Sequence, residues 1–187
     1  MARVIVFAAH LPDLIVESSK ARAGTIRWGS AADRDELVAA GANAKWLDSE
    51  ISHGSMLVVA EEEGRIVGYS CYPTRESMPQ YSWLVVRLRP GLDVFSVGGF
   101  VIPERRGRRI RGDMKRFAAR HFFEQGYQRM ISVVEATNTP SIRSNASVGA
   151  LPLITLTRVR IGKLILVWQG SALRHVRWTR EPFVVSV

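Results

Sequence analysis

The sequence predicts a single α/β domain, and three observations predict it. β-rich runs alternate with amphipathic helical periods along the whole chain. Two β-rich runs around a Gly-containing turn have the pattern of an antiparallel hairpin. The 187 residues, 47% hydrophobic and 23% charged, suffice for a buried core and leave no stretch polar enough for disorder. No internal repeat, low-complexity segment or linker divides the chain.

Taken in order, Val4 to Phe7 reads as a short strand and residues 11–19 as a helix. Neither has strong boundaries, so residues 1–24 are expected to be an N-terminal extension and 25–187 the domain proper. Thr25 to Trp28 is strand-like. Ser30 and Asp33 form a capping-box variant before Leu37 and Val38, with Asp33, Asp35 and Glu36 in a first turn where the helix dipole favours them. A second helix is expected around residues 44–51. The hairpin follows, with strands at 56–60 and 65–72. Residues 73–91 are bracketed by Pro and Gly as an excursion with a candidate strand at 81–86. Residues 94–102 are a β-rich run interrupted by Gly98 and Gly99, which fits either a plain bulge or a close approach to the backbone. Beyond Pro103 a basic turn enters a helix whose apolar residues Ile110, Met114, Phe117, Ala118 and Phe122 share one face, closed by Gly126. His121 lies on the edge of that face. A strand at 130–134, a short helix from Thr139 to about Val148, strands at 153–159 and 163–168, and a last one at 183–185 complete the chain.

A single cysteine, Cys71, excludes an internal disulfide, and four scattered His give no metal-ligand spacing; Cys71 reads as a small buried strand residue. No apolar run reaches the roughly 20 residues of a membrane helix and no secretory signal is present, so a cytoplasmic protein without a membrane partner is expected. The net charge of +9 is confined to one half: residues 1–103 hold 10 basic and 12 acidic side chains, residues 104–187 hold 16 and 5. That asymmetry suits an anionic partner, whether a phosphorylated cofactor, RNA, DNA or an acidic membrane surface, and charge alone does not choose among them. A nucleic-acid face would draw on residues 105–120 with Arg158, Arg160, Lys163, Arg174, Arg177 and Arg180. No aromatic interleaves with the basic turn and no nucleic-acid motif is present.

Two stretches carry a resemblance. The first is Phe100-Val101-Ile102-Pro103-Glu104-Arg105-Arg106-Gly107-Arg108-Arg109-Ile110-Arg111, and the second runs from Glu135 through Asn138 and Ser141 to Gly149. They are similar to the strand, R/Q-x-x-G-x-G/A turn and Asn-containing helix of the GNAT superfamily of acyl-CoA-dependent N-acetyltransferases, over residues 25–168. The resemblance implies a mixed, mostly antiparallel central sheet with helices on both faces. It also implies acetyl-CoA or another acyl-CoA as co-substrate, and transfer to an amine acceptor by direct attack. The cofactor would be held by Phe100, Val101 and Ile102 through their backbone, by Arg106, Gly107, Arg108, Arg109, Ile110, Arg111 and Gly112 at the phosphates, and by Asn138 and Ser141. Arg109 and Arg111 stand where the family has glycines, and Asn145 stands where it often has a Tyr general acid. Glu135 and Asp93 are the candidate general bases. Homodimerisation through the terminal strands is a family habit. A GNAT-fold protein that binds without turnover, with Arg109 and Arg111 filling the phosphate site, is the alternative.

A strand leading straight into a helix gathers unpaired amides at one point, where a pyrophosphate fits. Forked guanidinium groups there add phosphate donors. A solvated basic helix start fits the same residues, and Asn138 fits a helix cap as well as a ligand.

Overall fold

The computed structural model describes residues 1–16, 24–177 and 182–187. Residues 17–19 of the expected first helix, and Arg180, lie outside the described residues. Chain order is β1 (Ala2–His10), α1 (Leu11–Val16), β2 (Thr25–Trp28), α2 (Arg34–Ala39), α3 (Ala44–Ser52), β3 (Met56–Glu62), β4 (Arg65–Tyr72), β5 (Ser77–Tyr81), β6 (Leu84–Arg87), β7 (Asp93–Phe95), β8 (Val97–Val101), α4 (Ile110–Glu124), β9 (Arg129–Glu135), α5 (Thr139–Ala146), β10 (Leu151–Ile161), β11 (Leu164–Gln169), β12 (Ala172–Arg177) and β13 (Phe183–Ser186).

One sheet runs β2-β3-β4-β8 and is antiparallel throughout. Its β3–β4 hairpin closes through Glu63 (φ 53) and Gly64 (φ 73), two left-handed residues whose twist matches that of the flanking strands. Period-two alternation covers both faces of this sheet. Leu57, Val59, Ile66 and Tyr69 pack in one core cluster with Leu37 of α2 and Leu47 of α3, whereas Val58, Ala60, Val67 and Tyr72 pack in another with Ile110, Met114, Ala118 and Phe122 of α4. The stripe expected for α4 is the buried one. Asp33 Oδ2 accepts from the Ser30 amide at 2.7 Å, as the capping-box reading requires.

The second sheet runs β12-β11-β10-β1-β9-β7, antiparallel except for the β7–β9 pair. Residues 2–10, within the segment whose role the sequence left open, form an interior strand here. Val6 pairs with Ile154 of β10 on one side and Val133 of β9 on the other. Ile5, Phe7 and Ala9 face the α1 and α4 side, Val4 and Val6 the opposite one. That opposite face is covered by the 73–91 excursion. It forms a β5–β6 hairpin rather than the single strand expected at 81–86, joined by β13 parallel to β6 in a small third sheet. Met78, Leu84, Val86 and Val185 bury against Val4, Val6, Phe95 and Ile131 there. The structure is therefore a mixed, mostly antiparallel α/β fold with helices on both faces of the sheet that carries β8. No helix among the described residues is long and apolar enough to cross a membrane.

The two larger sheets share the run from Asp93 to Val101 and part along it. β7 stays beside β9, and the Ser96 amide still bonds to Ile131 O at 2.8 Å. From Val97 the chain pairs with β4 instead. Gly98 (φ 63) and Gly99 (φ 136) make the turn. A Cβ on Gly98 would stand 2.5 Å from the Trp46 ring. The result is a V between β8 and β9, with α4 and α5 beside its opening.

Candidate functional site

The V opens into a cleft of about 590 Å³. One wall is the free edge of β8 at Gly99, Phe100 and Val101, the floor is the turn from Arg105 into the first turn of α4, and the far wall is α5. Of the residues expected to hold a cofactor, Phe100, Val101, Arg106, Gly107, Arg109, Ile110, Arg111, Gly112, Asn138 and Ser141 line this cleft. Ile102 and Arg108 do not. The Ile102 amide is committed to Val67 O at 3.0 Å, within the sheet, and Arg108 is exposed outside the lining. Arg143, Ser144 and Ser147 also line the cleft. Pro140, Ser144 and Ser147 recur at i, i+4 and i+7, a helical stripe the sequence could have disclosed.

The floor consists of free donors. Arg106 N is bonded to Pro103 O and Asp113 N to Arg109 O, but the amides of residues 107–112 meet no acceptor among the described residues. Arg109 caps α4 with φ 62 and ψ 11, the left-handed conformation a glycine adopts without strain. The side chain at 109 is exposed. Two guanidinium groups do enter the cleft. Arg106 Nε donates to Val101 O at 3.0 Å and lies over the Phe100 ring, so it occupies one acceptor of the strand edge. Arg111 reaches along the cleft to within 3.5 Å of Gly98 O. Burial pulls its guanidinium below the ordinary value against the opposing influence of the Tyr72 and Tyr69 phenols.

Asn138 caps α5, accepting from Ser141 N at 3.1 Å while lining the cleft, so the capping role is realised. Asn145 is not in the cleft. It is 2% exposed and turned inward, where its Oδ1 accepts from Lys115 Nζ at 2.7 Å and Ser132 Oγ at 2.8 Å, and its Nδ2 donates to Ser141 O at 2.9 Å. Those bonds hold it behind the α5 wall. Lys115 is itself 2% exposed. Burial, helped by the neighbouring Arg111 charge, pushes its ammonium down to about 7. The sequence reading passed it over, although a lysine next to Met114 within a buried stripe was a visible anomaly.

The two candidate bases also stand apart. Glu135 is exposed at the end of β9, outside the cleft lining, and its charge faces the Tyr81 phenol. Asp93 is buried and clamped by Arg129 at 2.8 and 2.9 Å and by Arg89 at 3.3 Å. Burial alone would raise its pKa, but the donors from Arg129, Arg89 and the Arg89 amide outweigh it and hold the carboxyl below the usual range. It is a structural ion pair joining the start of β7 to β9. His121 packs edge-on to Trp28 at 4.8 Å, at the core margin as expected. Cys71 is buried, and burial pushes its thiol up to about 12.

The model of the acetyltransferase (GNAT) family matches residues 25–144. Among solved structures, a functionally unknown conserved protein from Staphylococcus epidermidis ATCC 12228 aligns with a TM-score of 0.61 at 14% identity, over 82% of this chain and 59% of that one. A putative acetyltransferase from the GNAT family of Novosphingobium aromaticivorans DSM 12444 gives 0.56 at 15% identity, over 82% and 61%. The aminoglycoside N-acetyltransferase AAC(6')-Iy in complex with CoA gives 0.54 at 19%, over 67% and 90%. The chain spans about three-fifths of the first two. At such identities the likeness is one of fold. No curated protein matches the sequence.

Proposed function

Because the chain belongs to the acetyltransferase (GNAT) family, we propose that it transfers an acetyl or other acyl group from CoA to a primary amine in the cleft between β8 and β9. The observation that carries this reading is the set of acceptor-free amides of Gly107 and of Arg109 to Gly112 on the floor of that cleft. Amides at a helix start converge on one point and carry partial positive charge, which is what a diphosphate requires. Arg109 and Arg143, which also line the cleft, add forked donors. The β8 edge offers main-chain groups at Gly99 and Val101 to the amides of the pantetheine arm, with Arg106 displaced from Val101 O as the arm enters.

In the reaction the neutral amine nitrogen attacks the thioester carbonyl carbon, the C–S bond breaks, and the ammonium proton passes to the thiolate or to water. Glu135 and Asn145 stand outside the cleft, so positioning and polarisation of the carbonyl by main-chain amides supply the catalysis.

The test is thermal denaturation with CoA. A ligand at about 100 times its dissociation constant stabilises by roughly 2.7 kcal/mol, and a melting temperature unmoved by millimolar CoA overturns the assignment. Release of free thiol from acetyl-CoA in the presence of amines then separates an enzyme from a protein that only binds.

A further inference from the structure

At the inner end of the cleft one buried polar atom, Nε of Arg111, lacks a partner. Behind it stands Ser70 of β4, 0% exposed, outside the cleft lining and with its hydroxyl beside the Tyr72 phenol. Both side chains meet at the bulge. A Cβ placed on Gly99 would lie 3.2 Å from Ser70 Oγ and 3.3 Å from Arg111 Nη2. The single hydrogen bond of the guanidinium, Nη2 to Gly98 O at 3.5 Å, is at the limit of such contacts.

Among the described residues no carboxylate pairs with this charge. Arg27, Arg34, Arg75, Arg89, Arg105 and Arg129 each pair with an Asp or Glu, whereas Arg111 has no such ion pair among the described residues. Its nearby phenols, Tyr69 and Tyr72, are pushed up by burial and stay neutral at ordinary pH. Lys115, one helical turn on, is a base rather than an acid and is turned to Asn145. Polar groups buried without partners are costly, and a half-buried guanidinium without an anion is doubly so. The Nε–Nη2 edge presents two parallel N–H donors, the spacing of a carboxylate's two oxygens. A neutral thioester oxygen would fill one of those donors and leave the charge unanswered.

We propose that the inner end of the cleft is a carboxylate subsite, in which Arg111, backed by Ser70 across the Gly98–Gly99 bulge, takes a carboxylate belonging to one of the two substrates. The proposal rests on the cleft being the acyl-CoA site. The carboxylate is either the far end of a dicarboxylic acyl group on CoA or the acid group of an amino-acid acceptor.

Calorimetric titration of the full chain with CoA, acetyl-CoA and succinyl-CoA tests the first source. Thiol release from acetyl-CoA with a mixture of proteinogenic amino acids, against the matching amino-acid amides, tests the second. The expected result is a preference of at least tenfold for the carboxylate-bearing partner in one of the two comparisons. Arg111→Gln is expected to abolish that preference, read as the ratio of carboxylate-bearing to carboxylate-free partner within each protein, and Ser70→Ala to reduce it. A site built around paired polar donors rejects analogues that leave those donors empty. Absence of a tenfold preference in both wild-type comparisons overturns the subsite without requiring any variant to fold. Equal loss of turnover in Arg111→Gln with every donor and acceptor overturns it too, since the guanidinium then serves the reacting carbonyl. If CoA fails to bind at all, the cofactor reading falls first and takes the subsite with it.

Discussion

Arg109 holds a backbone conformation that its own side chain opposes. With φ 62, its Cβ crowds the neighbouring carbonyl, a penalty of about 1 kcal/mol that glycine does not incur. Arg109→Gly should therefore raise stability by up to about 1 kcal/mol, less the added freedom of the unfolded glycine. Urea denaturation checks it, and an unchanged or lowered midpoint would mean that the guanidinium contributes more than the strain removes. Lys115 makes a pH-dependent statement. Its folded value is about 7 and its ordinary one 10.5, so between those values the unfolded chain holds the extra proton. Stability then increases with pH from about 7 toward 10.5, and this contribution is lost as pH falls through 7. Lys115→Met fills similar volume without a charge and should flatten that slope; a slope that persists in the variant assigns it to other groups. Ser132 and Asn145 keep one another as hydrogen-bond partners in that variant.

At the scale of elements, what was legible depended on whether the cause was local. The α4 stripe, the β3–β4 turn and the Ser30–Asp33 cap were all readable, because each is fixed by residues within a few positions of one another. The pairing of β1 with β9 and β10 was not. Val4 to Phe7 reads as a strand, but its partners lie beyond residue 128, and alternation names a face without naming a neighbour. The β5–β6 hairpin was half seen for the same reason: its parallel partner β13 is distant in sequence. In the cleft, the turn from Arg105 into α4 and the β8 edge could be foreseen from their motif. The inward rotation of Asn145 could not, since it follows from Lys115 and Ser132 on two other elements.

Taken whole, the molecule is two sheets hinged along one continuous strand run, and the wide end of the hinge is the cleft. The geometry is held open from both sides: Asp93 with Arg89 and Arg129 pins β7 to β9, and Trp46 against Gly98 pins β8 to α3. β1 is the middle of the larger sheet. Val6→Asp, which puts an unpaired charge at a site that is 0% exposed, should cost about 4 kcal/mol or more, whereas exposed Arg3→Asp on the same strand should shift stability by only about 0.5 kcal/mol. Denaturation of both variants checks this, and similar losses would mean the strand is held by its backbone alone.

The interior place of β1 has a kinetic consequence. Residues 2–10 leave the ribosome long before residues 129–158, the segments they must join. Until then an apolar ribbon with both edges bare must wait in solution, and closing so wide a gap is slow because its entropic toll comes before any contact repays it. Assembly of this sheet is thus a late step of folding, and the waiting ribbon is where self-association during expression would begin.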